Sequence, residues 1–95
     1  MPAYVIANYR ITDPEAFSTY PDAATETLAA AGAEIIAVDL ESEAMEGSPQ
    51  PVTVILKFPS KAEMKAWYNS PQYQAVIGLR TDNSEGTMVL VNGME

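Results

Sequence analysis

The stretch VTVILKFPSKAEMKAWYNSPQY, residues 52–73, decides how this chain folds. Val52, Val54, Leu56 and Phe58 alternate with Thr53, Ile55 and Lys57, the two-residue period of a strand. Pro59 then stops the strand, and Ser60 with Glu63 three residues on makes a capping box, the start signal of a helix. Ser70-Pro71 repeats the cap-then-proline signal, so the helix is expected to break and restart there. Tyr73, Val76, Ile77 and Arg80 then share one stripe of the restarted helix.

The same strand-then-helix unit opens the chain. AYVIANYRI, 3–11, is rich in β-branched and aromatic residues; Tyr4, Ile6, Asn8 and Arg10 share one face, and Val5, Ala7, Tyr9 and Ile11 the other. Asp13 suits a helix cap, Pro14 the first helical position, and Glu15 the positive end of the helix dipole. Phe17, Tyr20, Ala24, Leu28 and Ala31 follow at helical spacing, interrupted at Pro21, which should kink or restart the helix. Gly32 stands where a left-handed residue ends it. AEIIAVDLESEAM, 33–45, reads as a second strand, with Ile36, Val38 and Leu40 opposite Ile35, Ala37 and Asp39. EGSPQP is a turn, TDNSEG a loop, and TMVLVNG a fourth strand.

The order β-α-β-β-α-β predicts one α+β domain over residues 1–95, a ferredoxin-like plait with a four-stranded antiparallel sheet. With helices on one face, the other face should be polar, yet three strands are apolar on both sides: Tyr4 and Ile6 against Val5 and Ala7, Leu56 and Phe58 against Ile55, Met88 and Leu90 against Val89 and Val91. Such a sheet wants a second cover. The expected partner is another copy, two sheets packing face to face as a dimeric α/β barrel.

Thirteen acids against five bases set the formal charge at −8. That surface repels nucleic acid and anionic membranes, so neither is an expected partner. No apolar run approaches the roughly 18 residues of a membrane span, and MPAYVIANYR lacks the form of a signal peptide, so a cytoplasmic protein is expected. The chain has no Cys and no His. A thiolate nucleophile, a disulfide, a histidine-ligated haem and a Ser-His-Asp triad are thereby excluded. DLESEAMEG lacks the spacing of a calcium loop, so no metal and no cofactor is expected.

AYVIANYRITDPEAFSTY, ILKFPSKAEMKAWYNSPQYQ and VLVNG together resemble the domain-of-unknown-function family thirteen-thirty, nearly end to end. The most specific piece runs from Phe58 to Tyr73: F-P-S, then A-W-Y-x-S-P-x-Y. The resemblance implies the dimeric α/β barrel superfamily, which includes cofactor-independent monooxygenases, isomerase-like enzymes and ligand-sensing domains. Such relatives use a pocket between sheet and helices lined by Trp, Tyr, Asn and Arg. Members usually carry Gly-Gly after the first helix and Arg-Gly-Gly in the second strand; here those places read Gly32-Ala33 and, near enough, Val38-Asp39-Leu40.

The aromatic cluster Trp67, Tyr68 and Tyr73 has two readings, core filler or pocket wall. Core is the favoured reading for Trp67, while Tyr68 and Tyr73 stay open between the two, since a buried phenol needs a partner for its O–H. With Tyr4, Asn8, Tyr20 and Arg80, the cluster makes the expected ligand-binding set, on the condition that the Tyr4–Asn8 face of the first strand meets the helices. Arg10 reads as a solvent or ion-pair residue, Asp13 and Ser60 as caps. No acid falls on an apolar stripe, which argues against a carboxylate base. Two function classes follow: a small-molecule-binding dimer for an aromatic or enolisable metabolite, and a cofactor-independent monooxygenase- or isomerase-like enzyme on such a metabolite.

Overall fold

Three side chains turn the backbone from extended to helical in the computed structural model, which describes residues 1–94. Asp13 Oδ1 accepts from the Ala16 N–H at 3.1 Å, Ser60 Oγ from Glu63 at 3.1 Å, and Ser70 Oγ from Tyr73 at 3.2 Å. Each satisfies an N–H that the first helical turn leaves unpaired. They start α1 (Pro14–Phe17), α3 (Lys61–Tyr68) and α4 (Pro71–Gln74). α2 (Tyr20–Ala30) begins after a break at Ser18-Thr19, so Pro21 sits in its first turn, where a missing N–H costs nothing. The second helix restarts at Pro71 as the sequence predicts. It then breaks again at Ala75-Val76, where Val76 has a stretched φ of −117°, and α5 (Ile77–Thr81) is a separate turn. The stripe from Tyr73 to Arg80 therefore spans two helices rather than one.

The strands are β1 (Ala3–Ile11), β2 (Glu34–Asp39), β3 (Val52–Phe58) and β4 (Ser84–Asn92), in the sheet order β2-β3-β1-β4, antiparallel throughout. This is the ferredoxin-like arrangement. Two boundaries differ from the sequence reading. β4 starts inside the expected loop, because Arg10 and Ile11 reach far enough to pair with Glu85 and Ser84. β2 stops at Asp39, whose carboxylate accepts the Glu41 N–H at 2.8 Å, and the Ser42 N–H to Pro51 carbonyl bond, also 2.8 Å, closes the following loop.

Parity decides the rest. Ala3, Val5, Ala7 and Tyr9 are the buried positions of β1, and their cross-strand partners Phe58, Leu56 and Val52 are buried with them. This face carries the helices. Val5, Leu56 and Phe58 form one core with Ala24, Leu28, Met64, Trp67 and Tyr73; Ala7, Tyr9 and Val52 form another with Phe17. Burying each large side chain is worth about 1.5–3 kcal/mol, so these clusters fix which way β1 faces. Tyr4, Ile6, Asn8 and Arg10 point to the opposite, open face, where Ile6 lies between Ile55 and Val89 and Tyr4 beside Val91. No helix of the described residues is long and apolar enough to cross a membrane.

A β-bulge between Ile35 and Ala37 corrects the expected faces of β2. Ile35 pairs with Leu56 and Val38 with Val54, so both stand on the helix side, while Ala37 pairs with Ile55 on the open side. One inserted residue reverses the alternation beyond it.

Candidate functional site

Between the helices and the sheet lies a cavity of about 140 Å³. β1 supplies Ala7 and Tyr9 to its wall, α1 Phe17, α2 Tyr20 and Leu28, α3 Trp67, α5 Arg80 and β4 Met88. Gly86 makes room for Tyr9. The two are cross-strand partners, and a Cβ on Gly86 would meet the Asn8 carbonyl at 2.2 Å and Tyr9 Cα at 2.5 Å. The Tyr9 ring stacks toward Phe17, at 5.8 Å between centroids, and Phe17 toward Tyr20, at 5.4 Å.

Tyr20 and Arg80 give this apolar wall its polar centre, and the Tyr73 hydroxyl joins them from behind it. Tyr20 and Tyr73 share a hydroxyl–hydroxyl hydrogen bond of 2.7 Å, and Arg80 Nε donates to the Tyr73 oxygen at 3.3 Å. Tyr73 is wholly buried, its ring 4.0 Å from Trp67 and 5.7 Å from Tyr68, so core packing holds the phenol that holds Arg80. Burial pushes the Tyr20 hydroxyl far above the ordinary phenol value, helped by its neighbour Tyr73 and opposed by Arg80. Burial likewise raises Tyr9, again opposed by Arg80. These two phenols are neutral hydrogen-bonding groups at neutral pH. They are poor bases.

Arg80 has no carboxylate beside it: among the described residues the ion pair is Arg10–Glu85, on the open face. A half-buried guanidinium presents five N–H donors, and one of them is bonded to Tyr73. Tyr20 engages the same guanidinium, and the donors left over suit a planar anion.

The structure brings together Tyr20, Trp67, Tyr73 and Arg80 from the sequence-derived set. Trp67 is at once core and wall: 4% exposed, it lines the cavity and donates from Nε1 to Thr27 Oγ1 at 2.9 Å. Tyr68 packs behind Trp67 and Tyr73 and borders a separate surface depression with Met64 and Leu90. Tyr4 and Asn8 are corrected: they lie on the open face, since odd positions of β1 meet the helices. Asn8 pins the loop before β3, donating to the Gln50 carbonyl at 3.0 Å and accepting from the Gln50 N–H at 2.8 Å. Sequence reasoning missed Tyr9, Phe17, Ile35, Val38 and Leu40. The sign for Tyr9 was slight: its face of β1 carries Val5 and Ala7, but the other carries Tyr4 and Ile6 besides Asn8 and Arg10, so alternation did not settle which was inside. The more polar face is the one left open.

A second depression, about 730 Å³ between α2 and α3, is lined by Ala23, Ala30, Ala66, Glu26 and Glu63 among others. With Trp67, Thr27, Ser70 and Gln72 it also offers an indole, hydroxyls and an amide, but its charged groups are both acids and no cation lines it, so the Arg80 cavity is the better candidate for holding an anion.

The fold recurs in solved structures at low sequence identity. A protein of unknown function from Rhodopseudomonas palustris matches with TM-score 0.81 and 13% identity over 99% of this chain and 83% of that one. SnoaB, a cofactor-independent oxygenase from Streptomyces nogalater, matches with TM-score 0.68 and 9% identity over 99% and 94%. A dimeric ferredoxin-like protein of unknown function from Thermobifida fusca matches with TM-score 0.67 and 17% identity over 95% and 89%. At these identities the likeness is one of fold. No curated protein matches the chain. The profile of DUF1330, a domain of unknown function, matches residues 2–94. The protein belongs to the DUF1330 family.

Proposed function

We propose that this protein is a homodimer that binds a small aromatic or enolisable metabolite between its helices and sheet, with Arg80 holding the anionic or phenolic end. The observation carrying the reading is a guanidinium in the wall of an apolar cavity, held by a buried phenol and without a carboxylate partner among the described residues, in a chain with thirteen acids. A cation so placed costs desolvation that a ligand anion offsets. The cavity volume, about 140 Å³, is close to that of cavities that take up a benzene-sized guest. The dimer is supported by the apolar row Ile6, Ile55 and Val89 on the open face and by the dimeric Thermobifida fusca relative. A single copy would leave that row in water.

The test is titration of benzoate, by calorimetry and by Trp67 fluorescence, into wild type and Arg80→Gln. Loss of a charge-assisted hydrogen bond worth about 1.5–3 kcal/mol should weaken binding roughly ten- to a hundredfold. Equal affinity in the two proteins removes Arg80 from the site and returns the aromatics to the core.

Turnover without a cofactor is the second reading, favoured by the fold shared with SnoaB. Its substrate would have to arrive as an anion, or be acidic enough to become one beside Arg80, since Tyr9 and Tyr20 hold their protons and no carboxylate lines the cavity. Oxygen uptake on mixing with acidic phenols, abolished in Arg80→Gln, would support it.

A further inference from the structure

The lining of the cavity draws on all four strands, and its two ends differ in kind. Its wall draws on β4 through Met88, β1 through Ala7 and Tyr9, β3 through Val54 and Leu56, and β2 through Ile35 and Val38. Three strand spacings of about 4.8 Å make that span roughly 14 Å. Arg80 stands at the β4 end, on the short helix that leads into that strand. The β2 end is apolar and open: Ile35, Val38 and Leu40 line the cavity and are 47%, 58% and 64% exposed. Hydrophobic side chains on the helix side of a sheet are ordinarily covered, and nothing among the described residues covers these.

The bulge at Ile36 sharpens the point. Without it, strict alternation would put Val38 and Leu40 on the face opposite Ile35. With it, Val38 is re-aimed beside Ile35, extending the apolar floor outward from the cavity. The two arms of this geometry, a cation inside and a bare apolar shelf outside, are continuous.

We infer that the ligand is an amphiphilic monoanion lying across the strands, its planar charged head at Arg80 and its apolar body leaving over Ile35, Val38 and Leu40, which set the length accepted. The inference rests on the anion-binding reading of Arg80 and adds the orientation and shape of the ligand. A second copy is the competing occupant of the shelf. The observations favour the ligand, because the shelf continues the cavity on the helix side, whereas the row Ile6, Ile55 and Val89 lies on the other face.

Benzoate and 4-butylbenzoate discriminate the outcomes, titrated into wild type, Arg80→Gln and the double variant Val38→Ser with Leu40→Ser. Both altered positions are more than half exposed, so the double variant keeps its core. One fully buried methylene is worth roughly a factor of four, so a partly covered butyl tail should tighten binding to wild type about tenfold. In the double variant that gain should fall below about threefold. If the two probes bind wild type equally while Arg80→Gln weakens both, the tail inference is wrong and the anion site stands. If neither probe binds, or Arg80→Gln changes nothing, the anion site fails and the inference with it. If the double variant instead turns a dimer into a monomer by sedimentation, the shelf is a protein contact and the inference is overturned.

Discussion

Arg10 and Arg80 are the only arginines of the chain, and they fall on opposite sides of one sheet. Arg10 ends the open-face row of β1 and pairs with Glu85, its cross-strand neighbour, in water. Arg80 is held by Tyr73 within an apolar wall and meets no acid among the described residues. An exposed ion pair contributes between nothing and about 1 kcal/mol, because water screens both charges; a half-buried guanidinium without an acid remains available to a ligand. The difference lies in surroundings rather than residue type. The same contrast divides the faces themselves: both carry apolar residues, but one is closed by helices, while the other, the more polar, has no helix over it.

Tyr73→Ala attacks the closed face where core and site share a side chain. Tyr73 is wholly buried against Trp67, Tyr68 and Tyr20, so truncation should cost about 3–5 kcal/mol in denaturant unfolding. A cost below about 1 kcal/mol would mean that the closed face is not built on this ring.

The open face is challenged by Ile6→Glu with Val89→Glu. Two charges per copy in a symmetric interface should weaken self-association by at least about a hundredfold, while the helix signal of the monomer is kept. Sedimentation equilibrium reads the effect. Wild type already monomeric at micromolar concentration would end the proposal that a second copy covers this face.

Alkaline pH tests the closed face by titration. Tyr20 ionises far less readily when folded than its ordinary value of 10.0, with burial the leading cause. Its stabilising contribution is therefore complete below about pH 10 and is lost as pH rises further, when the unfolded chain releases a proton that the native state keeps. Stability should fall there by up to about 1.4 kcal/mol per pH unit for this group, and Tyr20→Phe should flatten the slope. An unchanged slope in that variant would mean that the Tyr20 hydroxyl titrates freely.

Arg10→Gln is the smallest expected effect. Stability should shift by less than about 0.5 kcal/mol, and benzoate affinity should match wild type. A binding loss comparable to that of Arg80→Gln would erase the contrast between the two arginines.

Much of the fold was legible because its signals are local. Asp13, Ser60 and Ser70 each precede a residue run suited to a helix, and capping depends on atoms three residues away. Strand alternation in 52–58 was equally plain, and Val52, Leu56 and Phe58 are buried as that pattern requires. The site was legible only in part. Tyr73 and Arg80 were found together because their spacing on a helical stripe survives the break at Val76. Tyr4 and Asn8 were misplaced because a two-residue period defines two faces without saying which one is inside.

The sequence by itself determined the order of elements, the helix starts, the absence of thiol and imidazole chemistry, and the excess of acids over bases. Tertiary structure alone decided which face of β1 the helices cover and where β4 begins. It also decided that a bulge at Ile36 turns Val38 toward the cavity. The physical reason is range. Caps and periodicity are settled within a few residues of chain, whereas the inside of a sheet is chosen by the joint packing of Tyr9, Phe17, Leu56 and Tyr73, residues that meet only after the chain has folded.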